Sequence, residues 1–216
     1  GENQMFIHLL KKDILITKKY IILVLVIGFA IPLFILWRVP MYSESLGFAL
    51  SVIFSEFMFC QNLSMKENHY SKVAALIATT PYKRSEMVIS KYILFVLIFL
   101  YCTLTYGIDV LLFPSMGKFR ISYVLAVFAI TSIAYSIYLP VQYWIGYEKT
   151  KFFFIIVILA ASFGLPALIS RGSDNILDLL KNFSLGIEGL VLGITVIIVS
   201  LSMMISVKIY SKKDLA

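Results

Sequence analysis

Glu56 is the residue in this chain that most demands a chemical explanation. It stands near the middle of an apolar stretch running from Leu46 to Leu63. At membrane depth an ionised carboxylate costs about 2.5–3.5 kcal/mol or more unless it is paired, wetted or protonated. Two readings follow: a polar contact on a substrate path or proton-linked switch, or a structural hydrogen bond to a neighbouring segment, with Ser51 and Ser55 close by in the same stretch. Asp109 and Glu188 lie near the ends of two other apolar stretches and are expected to reach the headgroups. Cys60 and Cys102 fall inside apolar runs and read as small buried hydrophobes, implying neither a disulfide nor a metal framework.

Catalytic constellations are missing. The two histidines, His8 and His69, both lie outside the apolar stretches, so an intramembrane hydrolase would lack its base or metal ligands at depth. Neither H-E-x-x-H nor G-x-S-x-G occurs. A phosphate-binding G-x-x-x-x-G-K-[ST] loop is absent too: Phe119 follows the Gly117-Lys118 pair, and Leu112 stands where the leading glycine belongs. The chain therefore reads as no enzyme, with no catalytic residue, cofactor or metal of its own. Any ATP-driven cycle needs a nucleotide site on another chain.

The elements that position these residues are membrane spans. Of the 216 residues 60% are hydrophobic and 14% charged, against roughly 25% charged in soluble domains, and the mean hydropathy is +0.92. A span needs about 20 mostly apolar residues, and six stretches qualify: 20–37, 46–63, 92–112, 121–141, 152–170 and 185–207. The connectors are too short for a soluble domain, so residues 1–216 read as one all-α integral membrane domain. Fourteen Lys and Arg fall on the side of the six spans that holds both termini, and five on the other, which places both termini in the cytoplasm. This topology accounts for the net charge of +7. No basic stripe with stacking aromatics lies outside the spans, which argues against nucleic acid as a partner.

Local patterns refine the picture. The first span is too long for a removable signal peptide, and no convincing cleavage site follows Trp37. Trp37 and Trp144 sit at span ends as interfacial anchors. Residues 3–18 suit an amphipathic surface helix, with Phe6, Ile7, Leu10 and Ile14 on one face and His8, Lys11 and Lys12 on another; Asp13 breaks the pattern. Small residues cluster at Gly189 and Gly193, and at Ala160, Ala161, Gly164 and Ala167, as helix-packing sites. Pro32, Pro140 and Pro166 mark kinks or ends.

The connector 64–91 is the informative one. Val73 to Ala78 is a short apolar run of good helix formers, Pro81 ends it, and Val88 to Lys91 resume a helix leading into the third span. A plain linker needs only a few residues. A longer one with ordered apolar content reads as a docking element for a soluble partner.

Two cytoplasmic segments carry a family resemblance: ENHYSKVAALIATTPYKRSEMVISKY, with Glu67, Leu76, Pro81, Arg84, Val88 and Lys91, and LPVQYWIGYEKTK, with Pro140, Gly146, Glu148, Lys149 and Lys151. With its six spans the chain resembles the short type-2 permeases of ATP-binding-cassette (ABC) exporters, the group that includes bacterial peptide and antimicrobial exporters. The resemblance implies a permease that forms the translocation path with a second permease, as a homo- or heterodimer in the cell membrane. It implies separate ABC ATPase subunits, which bind the ATP and Mg. Segment 67–84 would be the short cytoplasmic coupling helix, with Glu67, Val73, Leu76, Ile77, Pro81 and Arg84 as coupling residues and Glu148 in a smaller second contact. Residues 3–18 would be the connecting helix on the inner surface. Phe54, Glu56 and Phe57 become candidate path residues, in an aromatic, weakly polar lining that suits amphipathic peptides, antimicrobials or lipid-like compounds. Family members often carry re-entrant outer helices, for which this chain offers only 171–184. Two other readings share the size and topology: a six-span substrate-binding subunit of an energy-coupling-factor importer, and a non-transporting membrane immunity protein.

Overall fold

The computed structural model of the chain describes residues 2–40, 43–69, 83–159 and 185–212. These form seven α-helices: α1 (Glu2–Ile16), α2 (Lys18–Arg38), α3 (Ser43–His69), α4 (Arg84–Leu112), α5 (Ile121–Ile145), α6 (Tyr147–Leu159) and α7 (Leu185–Lys212), with a 3-10 turn at Pro114–Met116. Among the described residues there is no strand, as expected in lipid, where a helix satisfies its own backbone.

Five of the helices are long and apolar enough to cross a membrane: Lys18–Arg38, Leu46–Glu67, Arg84–Leu112, Ile121–Ile145 and Glu188–Lys212. The expected span 152–170 enters the described region only as the second part of α6; its remainder, with Ala160, Ala161, Gly164, Pro166 and Ala167, lies outside the described residues.

Several helices overrun their expected limits. α3 continues as one helix to His69, and α4 begins at Arg84. Glu67 therefore lies in the last turn of α3. The extra turns arise because 64–69 and 84–91 contain no helix breaker, and polar side chains do not stop a helix that leaves the apolar layer. Breaks occur where the backbone demands them. Gly146, at φ +95°, ends α5 in a conformation that disfavours any Cβ, and its N–H bonds the Gln142 carbonyl at 2.9 Å.

The bundle is built around α3, which packs against α1, α2, α4, α5 and α6. It is the least apolar of the five spans, yet 72% of it is buried, against 17% of α7. Polar residues collect on the helix that lipid does not touch, while α2 and α7 present Ile22, Val26, Phe34, Ile197 and Met204 outward. Pro32 lies inside α2 without ending it.

The core is an aromatic seam between α3, α4 and α5. Val88, Tyr92, Phe95, Phe99, Cys102 and Tyr106 recur every three or four residues along α4 and meet Val52, Ile53, Phe57, Val127, Tyr135 and Leu139. Phe95 stacks on Tyr135 with centroids 4.4 Å apart. Since lipid chains are as apolar as these side chains, close packing and interhelical hydrogen bonds must hold the helices together. Tyr92 Oη lies 2.7 Å from Ser202 Oγ and 3.0 Å from Ser206 Oγ, and Ser202 donates to the Ser136 carbonyl at 2.7 Å, tying α4 and α5 to α7. Cys60 and Cys102 are free and buried.

Candidate functional site

Charge concentrates at the end of the bundle where α1, the last turn of α3 and the first turns of α4 meet. Lys91 is only 6% exposed, and its Nζ lies 2.5 Å from Glu67 Oε2. The same ammonium stands 5.2 Å from the centroid of the Tyr143 ring on α5, and Tyr135 Oη donates to the Lys91 carbonyl at 3.1 Å. Asp13 is 1% exposed. Ser90 Oγ donates to its Oδ2 at 3.1 Å, and Lys12 Nζ lies 3.1 Å from its Oδ1. Lys66 Nζ donates to the Ile16 carbonyl at 2.5 Å, binding the end of α1 to α3. Two lysines and two carboxylates thus form a formally neutral cluster spanning three helices. Burial, followed by the nearby Glu67 charge, holds the Asp13 carboxyl above its ordinary range, against the lowering pull of Lys12 and Lys91.

This arrangement overturns part of the amphipathic reading of α1. The inward face is Leu9, Asp13 and Thr17, all buried, whereas Ile14 is 40% exposed. Asp13 does not break the face that packs on the bundle; it belongs to it. Its position four residues after Leu9 was the available signal, since an acid in register with an inward face needs polar partners, here Lys12 beside it and Ser90 of α4.

The other sequence-predicted residues are scattered. Val73, Leu76, Ile77 and Pro81 lie outside the described residues. Arg84 opens α4, and its Nη1 donates to the Ser211 carbonyl near the end of α7 at 2.9 Å. Glu148, in the first turn of α6, pairs with Lys151 Nζ at 2.7 Å. Of the coupling residues that the structure describes, Glu67, Arg84 and Glu148, only Glu67 joins the charged cluster.

The mid-bundle residues behave differently. Glu56 is 3% exposed, and neither carboxylate oxygen has a hydrogen-bond partner among the described residues. Phe57 is buried in the seam beside Tyr92 and Phe95, and Phe54 is half-buried. At the opposite end, Asp109 is fully buried with neither oxygen hydrogen-bonded among the described residues, and Glu188 accepts a hydrogen bond from Ser122. Neither is free to extend to headgroups as expected, because each lies on a side of its helix that faces the bundle. The loop between α4 and α5 is fastened there by Arg120 Nε, 3.2 Å from Glu44 Oε1. It turns at Gly117, whose φ of +96° and 2.9 Å approach to the Glu44 carboxyl leave no room for a Cβ. Gly189 and Gly193 face away from the bundle, where an added Cβ meets nothing within 4 Å.

Chemically, the charged end can hold helices in register and shift protons or ion-pair partners. Among the described residues no group of His, Cys, Asp and Glu is placed to hold a metal ion.

Compared with known proteins, the chain matches no curated protein and no solved structure. A family model described as ABC-2 family transporter protein matches residues 8–211, nearly the full length and including the whole charged cluster. The chain therefore belongs to the ABC-2 family of transporter proteins, as a multi-pass membrane permease whose ATPase activity resides in partner ABC subunits.

Proposed function

We propose that the chain is one half of a six-span ABC exporter permease, paired with an identical or sister permease and driven by two ATPase subunits that press on segment 64–91. The cargo class is an amphipathic peptide, an antimicrobial or a lipid-like compound, and Phe54, Glu56 and Phe57 belong to the path. Both termini and the charged cluster face the cytoplasm in this reading, in line with the distribution of Lys and Arg.

The observation that carries this reading is the pinning of both feet of segment 70–82. Glu67 lies in the last turn of α3 and Lys91 about two turns into α4, and their contact at 2.5 Å ties the two helices together. Asp13 and Lys66 bind α1 to the same point. A displacement imposed on the segment would pass directly into α3 and α4, and through α1 into α2. Rigid elements moved by an external motor are how a bundle is tilted between two openings.

Capture of the chain from its native membrane in mild detergent tests this directly. An ABC ATPase subunit is expected to co-purify, and Leu76→Glu should reduce its recovery several-fold while the chain stays folded. Undiminished recovery would reject the assignment of 64–91 as the coupling element.

A further inference from the structure

We propose that the exposed side of the joint between α1 and α2 binds an anionic phospholipid, whose phosphate is held by Lys11, Lys18 and Lys19 and whose acyl chains run along the outward face of α2. This site is separate from the segment assigned to the ATPase subunits and does not depend on that assignment.

Helical hydrogen bonding runs through the joint. Thr17 N bonds the Asp13 carbonyl at 3.2 Å, and Ile21 N bonds the Thr17 carbonyl at 3.0 Å, so residues four apart stay on one side across it. The inward side is Leu9, Asp13 and Thr17, continued on α2 by Val24 and Gly28, all buried. Two exposed stripes lie on the other side. One is Lys11, Leu15, Lys19 and Leu23. Its neighbour is Ile14, Lys18, Ile22 and Val26. Together they alternate lysines with apolar side chains and contain no acid. Between positions 9 and 26 the sequence has a single acid, Asp13, and the fold turns it inward. Other lysines at this end of the bundle are engaged: Lys12 with Asp13, Lys66 with the Ile16 carbonyl and Lys91 with Glu67. Among the described residues, Lys11, Lys18 and Lys19 meet no carboxylate.

The apolar half of the surface decides the occupant. α2 is apolar enough to cross a membrane from Lys18 onward, so Ile22 and Val26, 58% and 59% exposed, face acyl chains. A soluble acidic partner would match the lysines but could not follow these side chains into the bilayer. An anionic phospholipid fits both halves, with its phosphate at the mouth of the span beside Lys18 and Lys19 and its hydrocarbon along Ile22, Leu23 and Val26. Lys11 stands two turns back, about 10 Å of helix rise, and its long side chain can reach the same headgroup. Ile14 and Leu15 lie between the lysines, as apolar side chains do where headgroup meets acyl chain.

The test is native mass spectrometry of the full chain in mild detergent, titrated in parallel with phosphatidylglycerol and phosphatidylcholine. The parent should hold phosphatidylglycerol at least about tenfold more tightly. Lys11→Gln, Lys18→Gln and Lys19→Gln should each weaken it by about two- to fivefold, and the triple variant should bind the two lipids alike. Lys208→Gln combined with Lys212→Gln, at exposed positions near the end of α7, should leave the preference intact. A parent without the preference, a triple variant that keeps it, or an equal loss in the α7 control overturns the proposal. Inorganic phosphate should not displace phosphatidylglycerol, since it has no chains to lay on Ile22 and Val26; full displacement would assign the lysines to a free anion and overturn the lipid. If the triple variant keeps its lipid preference but no longer captures an ATPase subunit, the surface receives a protein and the proposal fails. Should the triple variant not accumulate, the single variants decide, and no weakening in any of them overturns it.

Discussion

Two ion pairs join α3 to its neighbours at opposite ends of the bundle, and they differ in kind. Lys91–Glu67 includes a fully buried lysine, backed by an aromatic ring and a second carboxylate. Arg120–Glu44 is open to solvent, with side chains 37% and 46% exposed. A buried pair is costly to make and costlier to break, because removing one partner leaves an uncompensated charge. An exposed pair is screened and forms and parts at little cost. The α1 end is thus the stiff one, suited to receiving force, and the opposite end is free to rearrange. Between them stands Glu56, buried with no hydrogen-bond partner among the described residues.

The comparison breaks first at Lys91. Lys91→Met leaves Glu67 without its cation beside the buried Asp13 and should destabilise the bundle by roughly 3–5 kcal/mol, read as a fall in Tm in nanodiscs. The loss should be accompanied by increased thiol labelling at Cys60, whose surroundings include Lys91 and Tyr135. A loss under about 1 kcal/mol would put this pair in the same class as Arg120–Glu44.

Glu56 sharpens the contrast from the other side. With no donor to lose, Glu56→Met should stabilise the chain by about 1–3 kcal/mol, the cost usually carried by a buried unsatisfied polar group. Such a gain in Tm, together with impaired ATP turnover by the assembled transporter, would mean that the carboxyl is kept for work at the expense of stability. A loss of Tm would instead mean that the carboxyl has a structural partner.

At the exposed end, Arg120→Ala should cost no more than about 0.2–1 kcal/mol, measured in the same unfolding assay. That cost should shrink further as salt is raised from 0.05 to about 0.5 M, as screening requires. A salt-insensitive loss would show that the outer loop is locked as firmly as the α1 end.

The legible part of this molecule was its spans and what they exclude. Apolar run length depends only on the solvent, so α2, α4, α5 and α7 could be placed from composition alone. The helix ends were less legible. Polar residues at 64–69 signal the membrane surface, but nothing in them stops a helix, and α3 runs through them to His69. Facing was the least legible property. Asp109 and Glu188 lie near span ends, where headgroup contact is the cheap outcome, yet tertiary packing turned both inward. Asp13 looked like a defect in an amphipathic stripe because the side chain that receives it on the bundle, Ser90, is 77 positions away in sequence. Helix periodicity reports which residues share a face, but not which distant charge that face will meet.

The smallest predicted effect is also the most specific to the charged end. Burial and the neighbouring Glu67 hold the Asp13 carboxyl above its ordinary value of 3.8. The folded chain therefore binds a proton at Asp13 that the unfolded chain has already released, across the window between 3.8 and the raised value. Within that window the Asp13 contribution to stability is greatest at the acid side and declines as pH rises, levelling off above the raised value. Asp13→Asn keeps an oxygen for Ser90 and removes the titration. At neutral pH it should match or slightly exceed the parent in Tm, and the difference should close on acidification. Glu67→Gln should flatten the Asp13-dependent slope, because it removes the repelling charge and leaves Lys91 to Asp13. A slope that is the same in the parent and in Asp13→Asn would mean that some other group titrates, and a slope of opposite sign would mean that Lys12 and Lys91 already dominate the site.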